Sequence, residues 1–415
     1  MHRRTFLLPI LLLACSDDPQ GPGRPSDFEP VARCVGGQAA GYACHGLDLI
    51  ARVPLVELEL EGTPNLANAN DVQGWSDALT GRDYLLVGRR NGVSIVDVTD
   101  PVEPLPVGRL PSASGESDFR DIDVVADHAF VVADGAPGHG VQVFDLRRLP
   151  GTDEYTVFTA DIVYEGVGSA RSIEIDAQTG YAYVTGSTTG AETCNGGLHM
   201  IDVRTPGSPV FAGCFSQPGT GVVTDGYTHD ADCVVYDGPD AEHRGREICL
   251  AGNVNHLVVV DVTDKAAPVA LAVASYPDWG YIQQGSLSPD HRYFLQADGT
   301  DEIKGFVERT RLLVWDVTDL DDPLLAAEYL GPSEAVDRQV LVRGNLAYYA
   351  NSTYGLRVLD VGDPRQPAEL AHFDTHPGSD QTAPFGAWAT YPFFDNGLIA
   401  VSSSRDGLFL LQSSH

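Results

Sequence analysis

Residues 257–268 read LVVVDVTDKAAP, and this stretch decides the fold. Four apolar residues lead into an aspartate, then Val-Thr-Asp, then a turn that contains proline. Related phrases occur three more times, as SIVDVTDP at 94–101, LLVWDVTDLDDP at 312–323 and LRVLDVGDP at 356–364. A phrase that recurs along a chain indicates a repeat architecture.

Aligning the chain on the aspartate after the apolar run gives six positions that lie 44 to 59 residues apart. A seventh apolar run, at 407–412, places Leu411 where the aspartate would stand. Because a carboxylate can accept backbone N–H bonds in the turn that follows it, we interpret these residues as structural. They are Asp97, Asp145, Asp202, Asp261, Asp316 and Asp360.

Each interval contains four short segments rich in β-branched and aromatic residues, bounded by Gly, Pro and Asp, which is typical of strands. Four strands per unit of about 50 residues is the pattern of a propeller blade. We therefore predict an all-β fold, a single seven-bladed β-propeller of four-stranded blades at 34–415. The last blade lacks its outer strand, and we expect residues 47–60 (LDLIARVPLVELEL) to supply it and close the ring.

The amino terminus predicts export. Residues 1–15 (MHRRTFLLPILLLAC) have a basic head and an apolar segment too short to span a bilayer, which favours a signal peptide. Leu-Leu-Ala-Cys resembles a lipobox, so we expect Cys15 to carry a lipid that attaches the protein to a bacterial envelope membrane. Residues 16–33 are polar and predict a flexible tether. The alternatives are an ordinary secretory signal and, on Arg3-Arg4, twin-arginine export.

Six further cysteines in an exported chain favour disulfides. Pairing sequence neighbours gives 34–44, 194–214 and 233–249, one of fifteen possible connectivities. Zinc is the alternative, but no Cys-x-x-Cys pair occurs, so we predict no metal. The residues are Cys34, Cys44, Cys194, Cys214, Cys233 and Cys249.

The net charge of −32 repels nucleic acid and anionic lipid. We expect a soluble domain that does not bind nucleic acid, is a monomer, and contacts the membrane only through its lipid.

The innermost strand of each propeller blade lines the central channel, and six of the seven predicted inner strands begin with a polar pair. These pairs predict a binding pocket at one channel mouth, suited to an anionic or sugar-like ligand through its guanidinium groups. The alternative is that the polar groups satisfy one another around water. The candidate ligand-binding residues are Asp71, Arg120, Asp121, Arg171, His229, Asp230, Gln283, Arg338 and Trp388.

Evidence for catalysis is weak in the sequence. No Gly-x-Ser-x-Gly, His-Glu-x-x-His or phosphate-binding loop occurs. His229 has no second histidine at ligand spacing. Residues 298–302 (DGTDE) are acidic but lack the spacing of a calcium loop, and we interpret them as a solvated turn. We predict no catalytic residue and no cofactor.

The repeat phrase, the lipobox, the stretch DGYTHD at 225–230 and GREIC at 245–249 together resemble the bacterial choice-of-anchor B family, whose blades carry the LVIVD repeat. The resemblance covers about residues 30–412. It implies an exported propeller attached to the cell surface, here through Cys15, and it implies no activity. Members of that family place histidine at several inner-strand positions, whereas this chain keeps only His229.

Three functions remain open on these grounds. The first is a lipid-anchored module at the cell envelope that binds a protein, a glycan or a small molecule. The second is a hydrolase or lyase acting on a sugar or other small substrate in the channel, with His229 and either Asp230 or Asp121. The third is a passive scaffold in an envelope complex. A propeller hosts all three, so the fold does not choose between them.

Overall fold

Seven four-stranded blades follow one another in the computed structural model, which describes residues 28–58, 68–151 and 154–414. The predicted all-β, seven-bladed propeller is confirmed. Helical structure in the described residues is limited to two four-residue helices, Leu55–Leu58 and Asp301–Lys304, and two 3-10 turns, Leu146–Arg148 and Cys194–Gly196.

Each blade is antiparallel and runs from an innermost strand at the channel to an outermost strand at the rim. In that order, blade 1 consists of Ala69–Ser76, Asp83–Arg89, Gly92–Asp97 and Leu105–Pro111, and blade 2 of Phe119–Val125, His128–Asp134, Val141–Asp145 and Ile162–Tyr164. Blade 3 consists of Ser172–Asp176, Tyr181–Thr185, Leu198–Asp202 and Val210–Phe215, and blade 4 of Asp230–Val235, Glu247–Gly252, Leu257–Asp261 and Val269–Ala274. Blade 5 consists of Ile282–Leu287, Tyr293–Asp298, Arg311–Asp316 and Leu324–Leu330, and blade 6 of Val340–Arg343, Leu346–Ala350, Leu356–Asp360 and Ala368–Phe373. Blade 7 consists of Ala387–Tyr391, Ile399–Ser403, Gly407–Ser413 and Leu47–Val53.

Short additional strands extend two blades at the rim. Thr156–Val157 pairs in parallel with the outer strand of blade 1. Tyr42–His45 pairs with the outer strand of blade 6, and Gln38–Ala39 pairs with Tyr42–His45 in turn. These segments cover strand edges that would otherwise be open to another chain.

The ring closes through the amino-terminal strand Leu47–Val53, which pairs with Gly407–Ser413 as the outer strand of blade 7. The predicted closing strand of residues 47–60 was too long, because Pro54 lacks the N–H that would continue the ladder. Ala32 hydrogen-bonds with Leu49 through both backbone groups, so the end of the predicted 16–33 tether packs on this strand.

The apolar core lies in seven layers between neighbouring blades. In blade 4, Leu257 and Val259 pack in the layer shared with blade 5, while Val258 and Val260 pack in the layer shared with blade 3. Alternate residues of a strand point to opposite faces. The repeat phrase is continuously apolar because both faces of the strand are buried.

The six repeat aspartates cap the turn that follows the third strand of each blade. In each case Oδ1 accepts a hydrogen bond from the backbone N–H two residues later, as in Thr263 to Asp261 over 3.0 Å. In blade 7, Leu411 pairs with Ile399 in the register in which Asp261 pairs with Ile248. The structural interpretation is therefore confirmed for all six aspartates.

All three predicted disulfides form: Cys34–Cys44, Cys194–Cys214 and Cys233–Cys249. They indicate an oxidising, exported environment. The predicted signal peptide and Cys15 lie outside the described residues. Among the residues that are described, no helix has the length and apolar character needed to cross a membrane.

Candidate functional site

The starts of the seven innermost strands meet around one cavity at the channel mouth. The cavity offers about 40 Å³ to the centres of water-sized spheres, room for a few waters or a small chemical group. All nine candidate residues line it, together with four residues that directly follow one of them in the chain. The lining is Asp71, Arg120, Asp121, Arg171, Ser172, His229, Asp230, Gln283, Gln284, Arg338, Gln339, Trp388 and Ala389.

Local irregularities in three inner strands lie at this mouth. The pairing register shifts between Ala69 and Val72, between Ile282 and Gly285, and between Ala387 and Ala389. Extra residues in a strand re-aim side chains and end regular pairing. The residues inserted at these shifts are polar or aromatic, and they belong to the ring of residues around the channel mouth, at the starts of the seven inner strands.

Part of the ring stabilises the propeller itself. The innermost strand of each blade has one edge without a strand partner, and in blades 2, 3, 6 and 7 a side chain of the preceding blade accepts an N–H group of that strand. Asp71 Oδ2 accepts from Ile122 over 2.9 Å, and Asp121 Oδ2 accepts from Ile173 over 2.7 Å. Amide oxygens act in the same way in the later blades, where Gln284 accepts from Val340 and Gln339 accepts from Thr390. The need to satisfy buried N–H groups explains why these positions are polar.

Arg120 is also a structural residue of the mouth. Its Nε donates to the Arg89 carbonyl over 2.6 Å, and its Nη2 donates to the Arg90 carbonyl and to Ser112 Oγ. Its Nη1 donates to His139 over 2.9 Å. Burial lowers the pKa of Arg120 to about 10. Because this guanidinium group is committed to backbone carbonyls, it has little capacity left for a ligand.

Arg171 and Arg338 make fewer hydrogen bonds than Arg120, and neither forms an ion pair with a carboxylate among the described residues. Arg171 donates from Nε to His229 over 2.9 Å. Arg338 donates to Ser352 Oγ over 3.3 Å and to the Pro384 carbonyl over 2.9 Å. Burial, and then the charge of Arg171, lowers the pKa of Arg338 to about 9. Two cations therefore repel each other at this mouth.

His229 is neutral and has a hydrogen-bond donor to spare. Its Nε2 accepts from Arg171, so the ring proton is on Nδ1, which is buried without a partner. Burial, followed by the charges of Arg171 and Arg338, lowers the pKa of His229 far below its usual range.

Two aromatic rings flank the cations. The Arg338 guanidinium lies 4.2 Å from the centre of the Trp388 ring, and that of Arg171 lies 5.1 Å from the centre of the Phe119 ring. The two rings lie 5.7 Å apart, and Phe119 is 40% exposed. Sequence reasoning missed Phe119. Its position directly before the Arg120-Asp121 pair was the sequence feature that could have identified it.

Two carboxylates of the ring, Asp121 and Asp230, meet at Ser172. The Ser172 hydroxyl oxygen is 2.8 Å from both Asp121 Oδ2 and Asp230 Oδ1. Since one hydroxyl donates one proton, the second contact requires a protonated carboxyl group. Burial and then the charge of Asp121 raise the pKa of Asp230 to about 7. In the described part, no hydrogen bond joins His229 to either aspartate, so the acid–base pair of the enzymatic alternative is not formed.

Three clusters of possible metal ligands occur among the described residues, and none shares a residue with the cavity lining. In the first, Cys194 and Cys214 are joined by a disulfide. The second joins buried His243 to exposed Asp321 over 3.0 Å, beside half-buried Asp240.

The third cluster is Asp301, Glu302 and Asp337, all buried. The interpretation of residues 298–302 as a solvated turn is therefore wrong. No local pattern in the sequence indicates that this acidic stretch folds inward between two blades.

Comparison with known proteins identifies the repeat and the fold. The model of the LVIVD repeat matches residues 78–110, 248–273 and 337–375, about a quarter of the chain. Among solved structures, the chain is similar to the β-propeller domain of Cps50 (Swd1) from Myceliophteria thermophila, with 13% identity and a TM-score of 0.53. The similarity covers 86% of this chain and 100% of that one, and it shows the fold alone. A search of curated proteins returned no match. A propeller built from LVIVD repeats is consistent with an interaction module.

Proposed function

We propose that the protein is an exported interaction module that binds an anionic group of its partner or ligand at the channel mouth. One observation carries the proposal: Arg171 and Arg338 face the same cavity without a carboxylate partner in the described residues, in a chain whose net charge is −32. In a chain with 58 Asp and Glu residues, the absence of an ion-paired carboxylate for buried Arg338 and half-buried Arg171 in the described part is unexpected. An anion from outside relieves their repulsion.

The chemistry of the mouth favours a carboxylate or phosphate group. Such a group accepts bidentate bonds from guanidinium and a further bond from the His229 Nδ1–H. The cavity is small, so we expect it to take the anionic group itself. The rest of the ligand would lie outside, against the exposed Phe119 ring and Trp388, which suits an acidic sugar or an acidic side chain.

Isothermal titration with the purified protein tests this proposal. We expect binding of glucuronate or acetate, no binding of glucose, and an affinity that falls as salt rises. R171A and R338A should each weaken binding at least tenfold. R309A is the matched control, because Arg309 is exposed and lies outside the cavity. Equal binding of glucose and glucuronate, or equal losses in all three variants, would reject an anion site.

The attachment is part of the same proposal. The lipobox-like sequence at Cys15, the three disulfides and the resemblance to the choice-of-anchor B family support a lipid-anchored protein on the outer side of a bacterial membrane. Cys15→Ser should shift the protein from the membrane fraction to the soluble fraction. Mass spectrometry of the amino-terminal peptide should find acyl chains on Cys15 in the parent protein. An unmodified, soluble parent would contradict the anchor and leave the anion site untouched.

A further inference from the structure

Four carboxylates are buried together between blades 5 and 6. The second strand of blade 5 ends at Asp298, and the short helix Asp301–Lys304 follows it. Asp337 comes from the segment just before the inner strand of blade 6. The exposed fractions of Asp298, Asp301 and Asp337 are 0%, and that of Glu302 is 7%. Buried carboxylates need cations or donors close by.

Protein donors satisfy three of these groups. Asp298 accepts from the N–H groups of Gly280 and Tyr281, both over 2.6 Å. Asp301 Oδ2 accepts from Arg311 Nε over 2.8 Å. Asp337 accepts from Arg311 N–H over 2.9 Å, from Asn351 Nδ2 over 2.9 Å and from Thr310 Oγ1.

Glu302 is the exception. Both of its carboxylate oxygens are buried, and neither has a hydrogen-bond partner. The Tyr349 hydroxyl lies beside Asp337 and interacts with that carboxylate rather than with Glu302. The nearest basic group is Arg311, which is 2.8 Å from Asp301 and 3.8 Å from Asp298. This guanidinium also pairs with Glu328 over 3.3 Å, outside the cluster. Among the described residues it forms no ion pair with Glu302 or Asp337, so Glu302 lies beside acidic neighbours without a donor.

We propose that this pocket binds one divalent cation, with Asp301, Glu302 and Asp337 as ligands and Ca²⁺ as the preferred ion. Oxygen atoms of the three side chains lie within 4.8 Å of one another. Two oxygens that each lie 2.3–2.6 Å from one Ca²⁺ are at most about 5 Å apart, so this spacing suits coordination. An all-oxygen set without His or Cys selects Ca²⁺, Mg²⁺ or Mn²⁺ over Zn²⁺.

Burial favours Ca²⁺ within that group of ions. Mg²⁺ gives up its water reluctantly and usually keeps several water ligands, whereas Ca²⁺ accepts carboxylates in a flexible geometry. The cation would join blade 5, which contributes Asp301 and Glu302, to Asp337 at the start of blade 6. Asp337 directly precedes Arg338 of the channel mouth. The cation site stands without the proposed anion site, because its residues are outside the cavity lining.

The competing explanation is a neutral Glu302. Burial, followed by the charges of Asp337 and Asp301, raises the pKa of Glu302, and a protonated carboxyl group needs no cation. The two explanations differ in their response to Glu302→Gln, since glutamine imitates the protonated acid. The matched control is E308Q, because Glu308 is exposed and lies in the same segment.

The experiment uses the full-length protein, stripped with EDTA and then dialysed against micromolar CaCl2. Elemental analysis should find about one Ca²⁺ per chain in the parent and in E308Q, and none in E302Q. Thermal unfolding should give a Tm that rises with each tenfold increase in Ca²⁺ for the parent and E308Q, and a constant Tm for E302Q. MgCl2 and MnCl2 arms at equal ionic strength establish ion preference.

Two results would overturn the site. One is a parent protein that retains no ion and whose Tm ignores all three cations, which is the outcome expected of a protonated Glu302. The other is a folded E302Q that still binds one Ca²⁺. If E302Q fails to fold, hydrogen exchange of residues 299–310 in the parent decides: Ca²⁺ must protect this segment relative to EDTA.

Discussion

Arg171 Nε donates a hydrogen bond to Nε2 of His229 over 2.9 Å, and this contact joins the inner strands of blades 3 and 4 at the channel mouth. It places the imidazole proton on Nδ1, where no acceptor is found among the described residues. In this pair both side chains can still donate hydrogen bonds to a ligand, and neither has a free acceptor. We interpret this pairing as favouring an anion at the mouth, and it occupies the Nε2 lone pair that His229 would need to act as a general base.

The arginines of the mouth should separate by their effects on stability and binding. Arg120→Ala removes the buried side chain that donates to the carbonyls of Arg89 and Arg90, to Ser112 and to His139, so we expect it to lower the free energy of unfolding by about 2–4 kcal/mol. Arg171→Ala should cost about 1 kcal/mol or less, because Arg171 is half-buried and makes one hydrogen bond to His229. Urea unfolding measures both. Similar losses in the two variants would contradict the assignment of Arg120 to structure.

His229 should make the protein sensitive to acid. Its pKa is depressed in the folded state, so the unfolded chain binds a proton below about pH 6.5 that the folded protein refuses. Stability is therefore lost as the pH falls below that value. For H229Q, the difference in Tm from the parent should increase steadily between pH 7 and pH 5. A difference that is the same at both pH values would show that His229 titrates normally in the folded state.

Asp230 should have the opposite pH dependence. Its pKa is raised to about 7, so the folded state holds a proton that the unfolded state releases above about pH 4. Stability is present below that pH and is lost as the pH rises through 7. Asp230→Asn imitates the protonated acid and keeps Oδ1 for Ser172 and Ala231. We expect its Tm to exceed that of the parent by about 1–2 °C at pH 8, as about 1 kcal/mol would produce in a domain of this size, and to equal it at pH 4. A lower Tm at pH 8 would count against a protonated Asp230.

Ring closure should depend on the strand Leu47–Val53. A chain that begins at residue 54 would expose the edge of Gly407–Ser413, whose Leu408, Phe409, Leu410 and Leu411 are fully buried in the closed ring. Open apolar edges promote association. Size-exclusion chromatography should find aggregates for this chain, and a monomer for a control chain that begins at residue 28. A monomeric, cooperatively unfolding protein without residues 47–53 would show that the ring needs no closing strand.

Much of the fold was predictable because the blades repeat a local pattern. The phrase LVVVD predicts a strand buried on both faces, and the layers on either side of Leu257–Asp261 agree with this. The disulfides followed from sequence neighbours, because each joins segments within one blade or one terminal hairpin. The closing strand was predicted too long, since an alternating apolar pattern continues past Pro54 while the backbone ladder does not.

The sequence by itself determined that the chain is a seven-bladed ring and which residues stand at the channel mouth, because strand period and repeat spacing are local properties. Only the tertiary structure decided their roles. Asp71 and Asp121 accept N–H groups of the next blade, and Arg120 donates to backbone carbonyls. Arg171 and Arg338 have no carboxylate partner among the described residues. Only the tertiary structure shows that Glu302 is buried without a hydrogen-bond partner. Which donor meets which acceptor depends on contacts between blades about 50 residues apart in the chain, and no local pattern encodes those contacts.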